Sequence, residues 1–280
     1  MTDVTRIALP NKGRLSEPSV HLLRAAGLVF ETSSRALSVP VHNMPVEVLF
    51  VRADDIPELV HDGIAHFGMT GLDLVTESVA DTTVVLGLDF GRCTLTAAVD
   101  ESSPVMSLDD FSGLRVATSH PRTVGRFFSD KSIDITTVPL RGSVEVAPKL
   151  DIADAIVDLV SSCSTMMING LRPVATVLES QASLISGGEA VASPITTMIR
   201  SVVAARRKRY VMMNIAGASV SDVERIIPGA DSPTVIPLTH DGMYAVHSVV
   251  DADEMWRVLP ALEAAGASAI LVLPIEQMIA

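Results

Sequence analysis

Residues 151–165 read Asp151-Ile-Ala-Asp154-Ala-Ile-Val-Asp158-Leu-Val-Ser161-Ser162-Cys163-Ser164-Thr165. Two acids, Asp154 and Asp158, stand four residues apart, ahead of a run of small hydroxyl side chains. Carboxylates of this kind accept hydrogen bonds from ribose hydroxyls or hold the Mg²⁺ of a pyrophosphate. Hydroxyls and exposed backbone N–H groups cradle a monophosphate, best at a helix N-terminus. The same letters also suit a helix with acids on its solvent face, followed by a Ser-rich loop. Residue types alone leave both readings open. No pair of histidines has the spacing of a zinc site.

The elements that must position these residues follow from hydrophobic pattern and punctuation. Ile7 to Pro10 is an apolar strand running into Asn11-Lys12-Gly13-Arg14, after which a helix capped by Ser16 runs to Gly27. Val46 to Val51 is a β-branched strand, Ile56 to Asp62 a short helix, and Phe67 to Gly71 a strand breaking into a Gly-flanked turn before a helix over 72–78. Strands are expected at 94–99, 114–118, 135–140, 174–180 and 183–186, with a helix over 122–130. Ala153 to Leu159 reads as either buried or helical. A helix from about Pro194 ends in Arg206-Arg207-Lys208-Arg209. This alternation implies an α/β fold with largely parallel sheets. The tail, with strands at 210–215, 234–238, 245–250 and 269–273 and helices at 220–227 and 254–265, is a βαββαβ unit of the ferredoxin-like kind.

Composition bounds the function. The chain has 280 residues, 48% hydrophobic and 19% charged, enough for more than one domain and too apolar for a disordered polymer. A net charge of −12 argues against a general nucleic-acid binder. A phosphorylated small substrate remains compatible, because a local basic cleft or helix N-termini hold phosphate on an acidic protein. Two cysteines, Cys93 and Cys163, no signal-peptide pattern and no apolar stretch of spanning length lead us to expect a cytoplasmic protein with reduced thiols.

Ordered motifs along nearly the whole chain carry a resemblance. Asp154 to Thr165 is similar to the stretch that binds phosphoribosyl pyrophosphate (PRPP) in ATP phosphoribosyltransferases. Leu140-Arg-Gly142-Ser143-Val-Glu145-Val-Ala-Pro148 resembles the segment before it, and Asn169-Gly170-Leu171 the segment after. Lys12-Gly13-Arg14-Leu15-Ser16, Arg52-Ala-Asp-Asp-Ile-Pro57, Gly68-Met-Thr70-Gly71, Leu88-Asp-Phe-Gly91 and Ala117-Thr-Ser119-His-Pro121 match in turn. The tail keeps Tyr210-Val-Met-Met, Pro228-Gly229, Ser232-Pro-Thr234 and 266–276. The tail marks the long form of that family.

The resemblance implies a two-lobed, periplasmic-binding-protein-like catalytic core with a C-terminal ferredoxin-like (ACT-like) regulatory domain. Its domains would be residues 1–93 plus 185–205, 94–184 for PRPP binding, and 206–280. Asp154 and Asp158 would face the ribose and the metal-bound pyrophosphate of PRPP, with Glu145 beside them. Ser161, Ser162, Cys163, Ser164 and Thr165 would hold the 5′-phosphate. Lys12, Arg14 and Arg52 would be the catalytic cations, and Gly13, Thr70 and Gly71 would line the ATP side. Each has a plainer alternative: Arg14 as a surface residue, Arg52 as partner of Asp54 or Asp55, Gly68–Gly71 as a structural turn, Glu145 as a cap.

By the same resemblance, N1 of ATP attacks C1 of the ribosyl group and Mg²⁺-pyrophosphate leaves, so the metal arrives on the substrates, with no direct protein ligand. Positioning and electrostatics supply the rate, without a protein nucleophile. L-histidine would inhibit through the tail, with Ser232, Thr234 and Ala269 as regulatory residues. The chain would assemble into dimers and hexamers and would need no separate synthetase-like subunit. Cys163 stands where the resembling loop has Gly, which would cost about 1–2 kcal/mol if that backbone is left-handed. Ser162, His66 and Thr94 also depart from the pattern. These departures keep open a catalytically weak paralogue that acts as a ligand-binding regulatory protein.

Overall fold

A computed structural model describes residues 4–32, 36–160, 163–188, 193–227, 229 and 232–279; the side chains of 163–165 are not described. The chain divides into two compact units, 1–21 with 28–192, and 22–27 with 193–280.

The first unit holds two sheets. In chain order its elements are β1 (Thr5–Pro10), α1 (Ser16–Ala25, whose last residues belong to the second unit), β2 (Ser38–Pro40), β3 (Val46–Val51), α2 (Ile56–His61), β4 (Phe67–Gly71), α3 (Leu72–Glu77) and β5 (Thr83–Gly87). Then come β6 (Cys93–Asp100), β7 (Arg115–Thr118), α4 (Pro121–Asp130), β8 (Thr136–Pro139), β9 (Ala155–Val160), α5 (Cys163–Ile168), β10 (Leu171–Ser180) and β11 (Ala182–Ser186). The first sheet has the order β2-β3-β1-β4-β11-β5 and the second β10-β6-β9-β7-β8.

Parallel strands occupy the middle of the first sheet, with β1 between β3 and β4. Ile7, Ala8 and Leu9 are fully buried, as expected for a strand covered on both faces. In the second sheet β9 runs parallel to β7, which runs parallel to β8. Its core is Leu95, Val99, Phe111, Val116, Phe128 and Val157, with the Phe111 and Phe128 rings stacked at 5.3 Å. The segment 153–159, open between buried and helical from sequence, is mostly the inner strand β9. Ala155, Ile156 and Val157 are all buried, which suits a central strand better than an amphipathic helix. The short β2 and the half-exposed edge strand β5 carry too weak a pattern to be expected from sequence.

The second unit opens with α6 (Pro194–Arg206), where Ser193 Oγ accepts from the Thr196 N–H and Thr196 Oγ1 accepts from the Ser193 N–H. This reciprocal cap fixes the helix start. Then follow β12 (Lys208–Ala216), α7 (Val220–Ile226), β13 (Thr234–Pro237), β14 (Met243–Asp251), α8 (Met255–Ala264) and β15 (Ser268–Pro274). The sheet order is β13-β14-β12-β15, antiparallel throughout, which is the ferredoxin-like arrangement. Val211, Met213, Ile215 and Val246 alternate inward and pack with Val223, Val258 and Leu262 of the two helices, the period of two expected of a sheet covered on one face.

Candidate functional site

The chain leaves β1, β3 and β4 at the same edge of the first sheet, because the three strands are adjacent and parallel. Ligands of open α/β sheets bind beyond this carboxyl edge. Lys12, Gly13 and Arg14 follow β1, Arg52 follows β3, and Thr70 and Gly71 end β4. Gly13 has φ +83°, a left-handed conformation that glycine adopts without strain. Thr70 Oγ1 donates to the Ala53 carbonyl at 2.7 Å, tying the turns after β3 and β4 together.

Both arginines of this edge are already engaged. Arg52 donates to Asp54 through Nε at 3.0 Å and Nη2 at 2.6 Å, the pairing offered above as its plainer role. That guanidinium holds the Asp54 carboxyl below the usual range against the effect of burial, and the charge of Lys12 adds to it. Arg14 Nη2 donates to the buried Cys93 Sγ at 2.8 Å, so a residue at the start of the second sheet orients a cation of the first.

The same edge logic operates in the second sheet. Glu145 lies on the helical turn Val144–Val146 after β8, and Asp158 lies near the end of β9. Together with Ile156, Val160, Met166, Asn169 and Leu171 they line a cavity of about 280 Å³. Burial pushes the Asp158 carboxyl up; the Leu159 N–H bond pulls it down, the negative charge of Glu145 raises it again, and His120 lowers it. Two carboxylates sharing one cavity repel in its empty state and gain from a cation between them. Their hard oxygen donors suit Mg²⁺, which commonly binds through one or two carboxylates plus substrate phosphates. Among the described residues, no three His, Cys, Asp or Glu side chains converge as a metal cage.

Asp154 is not brought to this cavity. It stands at the other end of β9, where its carboxylate accepts from the Arg115 N–H at 2.8 Å, from Nε at 3.2 Å and from Nη2 at 2.8 Å. Those bonds hold the Asp154 carboxyl below its ordinary value. Four residues of strand put it about 13 Å from Asp158. Ser161 and Ser162 lie outside the described residues. Cys163, Ser164 and Thr165 open α5, and their side chains are likewise outside the description.

Two departures in the sequence have clear places. His66 Nδ1 accepts from the Arg6 N–H at 3.0 Å beside the start of β1, at the edge opposite the loops just described. Thr94 Oγ1 donates to the Val160 carbonyl at 3.4 Å. Thr94 and Val160 line a second cavity of about 360 Å³ with Leu72, Arg92, Cys93, Glu179, Ser180 and Gln181.

Of the residues that the resemblance implies as regulatory, Ser232 precedes β13, Thr234 opens it, and Ala269 lies in β15 with φ +48°. β13 and β15 are opposite edges of the four-stranded sheet, about 14 Å apart at ordinary strand spacing. One copy of the chain does not bring Thr234 and Ala269 together.

Sequence reasoning missed Asp73, Glu77, His120 and Ser180. Asp73 and His120 are each 3% exposed and lie 3.5 Å apart, and Ser180 Oγ donates to Asp73 Oδ1 at 2.5 Å. Asp73 and Glu77 at i, i+4 of a predicted helix, and a histidine beside Pro121, were the available signals. Nothing local says that a strand end a hundred residues away meets them.

Comparison with known proteins fits this arrangement. A family model described as ATP phosphoribosyltransferase matches residues 52–205, and one described as HisG, C-terminal domain, matches residues 205–277. The chain is 42% identical over 281 residues to an ATP phosphoribosyltransferase of Methanococcoides burtonii, covering 98% of this chain and 99% of that protein. It is 44% identical over 279 residues to one of Natronomonas pharaonis, with the same coverage. Among solved structures it is similar to the ATP phosphoribosyl transferase (HisG:HisZ) complex of Thermotoga maritima, with TM-score 0.60, 22% identity, and coverage of 70% of this chain and 98% of that one. That last likeness concerns the fold.

Proposed function

The chain belongs to the ATP phosphoribosyltransferase family, and on that premise we propose that its chemistry takes place at the carboxyl edges of β1, β3 and β4 and of β7, β8 and β9. It transfers the 5-phosphoribosyl group of PRPP to N1 of ATP and releases pyrophosphate, the first committed step of histidine biosynthesis. The observation that carries the placement is the cavity shared by Glu145 and Asp158, immediately before the turn into α5.

In this reading Glu145 and Asp158 take the ribose and the Mg²⁺ that arrives with PRPP. Ser161, Ser162, Cys163, Ser164 and Thr165 take the 5′-phosphate. Lys12, Arg14 and Arg52 stabilise the charge that develops on pyrophosphate, and Gly13, Thr70 and Gly71 admit ATP. Arg52 exchanges Asp54 for substrate. Asp154 serves the site at one remove, by fixing the start of β9 through Arg115. An oxocarbenium-like transition state requires well-placed charge more than a strong base.

The three sheets support a division into 1–93 with 185–205, 94–184 and 206–280, although 193–205 group with the tail as a compact unit. The tail is the proposed regulatory part, where L-histidine inhibits. Homo-oligomers, dimer to hexamer, are supported by the edge strand β15, whose Leu271, Val272 and Leu273 are 40–55% exposed; an apolar edge of this kind invites pairing. With the tail present, we propose that no separate synthetase-like subunit is needed. A cytoplasmic place suits the biosynthetic role; among the described residues no helix is long and apolar enough to cross a membrane.

The deciding experiment incubates the purified full chain with ATP, PRPP and Mg²⁺, with and without L-histidine. Mass spectrometry of the nucleotide and a pyrophosphate assay should find N1-(5-phosphoribosyl)-ATP and pyrophosphate in equal amounts. Tight PRPP binding without product would favour the weak-paralogue reading instead.

A further inference from the structure

His120 is given no role in the reading above, yet its surroundings are constructed with care. It is 3% exposed at the turn from β7 into α4. Its N–H donates to Thr118 Oγ1 at 3.0 Å, and its Nδ1 lies 2.9 Å from Ser119 Oγ. Its Nε2 stands 3.5 Å from Asp73 Oδ2 and has no hydrogen-bond partner among the described residues. An orphaned polar atom at such burial is costly.

Asp73 links this histidine to the other sheet. It belongs to α3, directly after the Thr70–Gly71 turn, and is itself 3% exposed. Burial raises its carboxyl, but His120 at 3.5 Å and the bond from Ser180 outweigh that and hold it below the ordinary range, so an anion sits inside the fold. A Cβ built on Gly71 would stand 2.3 Å from Asp73 Oδ1; the carboxylate is folded back against the turn. One helical turn further on, Glu77 accepts from the N–H of Arg122 at 3.0 Å and from the N–H and Oγ1 of Thr123 at 2.9 and 2.8 Å. Glu77 thus supplies the cap that the His120 side chain does not give α4. Two acids at i, i+4 of one helix grip the first turn of another.

On its other side, His120 follows the strand that pairs with β9. Thr118 is the partner of Val157, the residue before Asp158. We propose that His120 is a positioning residue for phosphoribosyl transfer: gripped by Asp73, it holds the Thr70–Gly71 turn of the first sheet at a set separation from the Glu145–Asp158 cavity of the second. The Nε2 hydrogen bond to Asp73 is left for the substrate-bound arrangement to complete. The inference rests on the transferase reading for its substrates.

The test uses the full-length protein and steady-state kinetics for PRPP and ATP. His120→Phe should raise KM for PRPP about tenfold or more while kcat at saturation stays within about threefold. His120→Gln, which keeps an N–H donor, should fall between Phe and the unaltered protein. A KM for PRPP unchanged in both variants, or a kcat that falls with the folded fraction at constant KM, overturns the proposal. If His120→Phe does not fold, Glu77→Gln decides: it releases the grip on α4 from outside the buried pair and must raise KM for PRPP more than it lowers kcat. Should the unaltered protein form no product, the transferase reading fails by itself. Calorimetry with PRPP then judges the grip, and an unchanged Kd in His120→Gln overturns it.

Discussion

Asp154, just before β9, and Asp158, within it, stand four residues apart and have different partners: Asp154 is bound by Arg115 at the start of β9, while Asp158 shares a cavity with Glu145 near its end. On a helix the same spacing would have stacked the two carboxylates on one face. On a strand it separates them by about 13 Å, so one motif contains an ion-paired acid and a cavity-lining one.

Substitution should separate the two. Asp158→Asn removes a charge from the cavity and should lower kcat/KM for PRPP by on the order of 10²-fold. Asp154→Asn should leave kcat/KM within about threefold and lower thermal stability instead. Its folded carboxyl is held below the unfolded value, so the stability it contributes is present above the unfolded pKa and lost as pH falls through the folded one. The melting-temperature deficit of Asp154→Asn should therefore be full at neutral pH and vanish in acid. An inactive Asp154→Asn of normal stability would move this acid back into the site.

Asp158 should behave oppositely. Burial, with Glu145 adding to it, raises its folded carboxyl above the unfolded value. A group raised in this way favours folding below the unfolded pKa and loses that contribution as pH rises through the folded pKa. At neutral pH the ionised Asp158 is a burden on the empty protein, so Asp158→Asn should melt higher than the unaltered chain, and the gain should shrink as pH falls through the raised folded pKa and be gone below the usual carboxylate range. Thermal melts from acid to neutral pH check this, and a variant that melts lower at neutral pH contradicts the assignment. Mg²⁺ with PRPP should stabilise the unaltered protein and have little effect on the variant.

Gly71→Ala tests the turn at the end of β4. The backbone there is ordinary, with φ −72°, so strain in the chain is not the obstacle. The added methyl meets Asp73 Oδ1 at 2.3 Å, and the carboxylate must leave Ser180 and His120 to make room. Displacing a buried anion from its donors should destabilise by about 1–3 kcal/mol and raise KM for both substrates. Denaturant unfolding and kinetics together check it. If the methyl is harmless, Asp73 has more freedom than its burial suggests.

How far the sequence could be read depends on the range of each interaction. The strand–turn–helix order, the ferredoxin-like tail and the loops at Lys12–Arg14, Arg52 and Thr70–Gly71 were legible, because hydrophobic period and punctuation are local signals. The resemblance gathered those loops, and their common place at one sheet edge follows once β1, β3 and β4 are parallel neighbours. The place of Asp154 was not legible: residues 153–159 are apolar enough to be a buried helix or an inner strand, and only the pairing of β9 with β6 and β7 decides. The contacts of Cys93 with Arg14, and of Asp73 with Ser180, join residues 79 and 107 positions apart. Neither leaves a local trace.

The proposed regulatory residues yield the last prediction. Thr234 opens one edge strand of the tail sheet and Ala269 lies in the other, so a ligand the size of an amino acid cannot touch both within one chain. If L-histidine uses both, its site must be assembled from two copies, with β15 of one beside β13 of the other. Leu271, Val272 and Leu273 are exposed apolar residues of β15, Leu271 the most so, and charge on an edge strand blocks pairing. Leu271→Lys should therefore reduce assembly, seen by sedimentation, and remove histidine inhibition together, while catalysis without histidine stays within about threefold. Thr234→Val should weaken inhibition without altering assembly. Inhibition that survives in a chain confirmed as monomeric would mean that histidine binds within one copy, and would remove either Thr234 or Ala269 from its site.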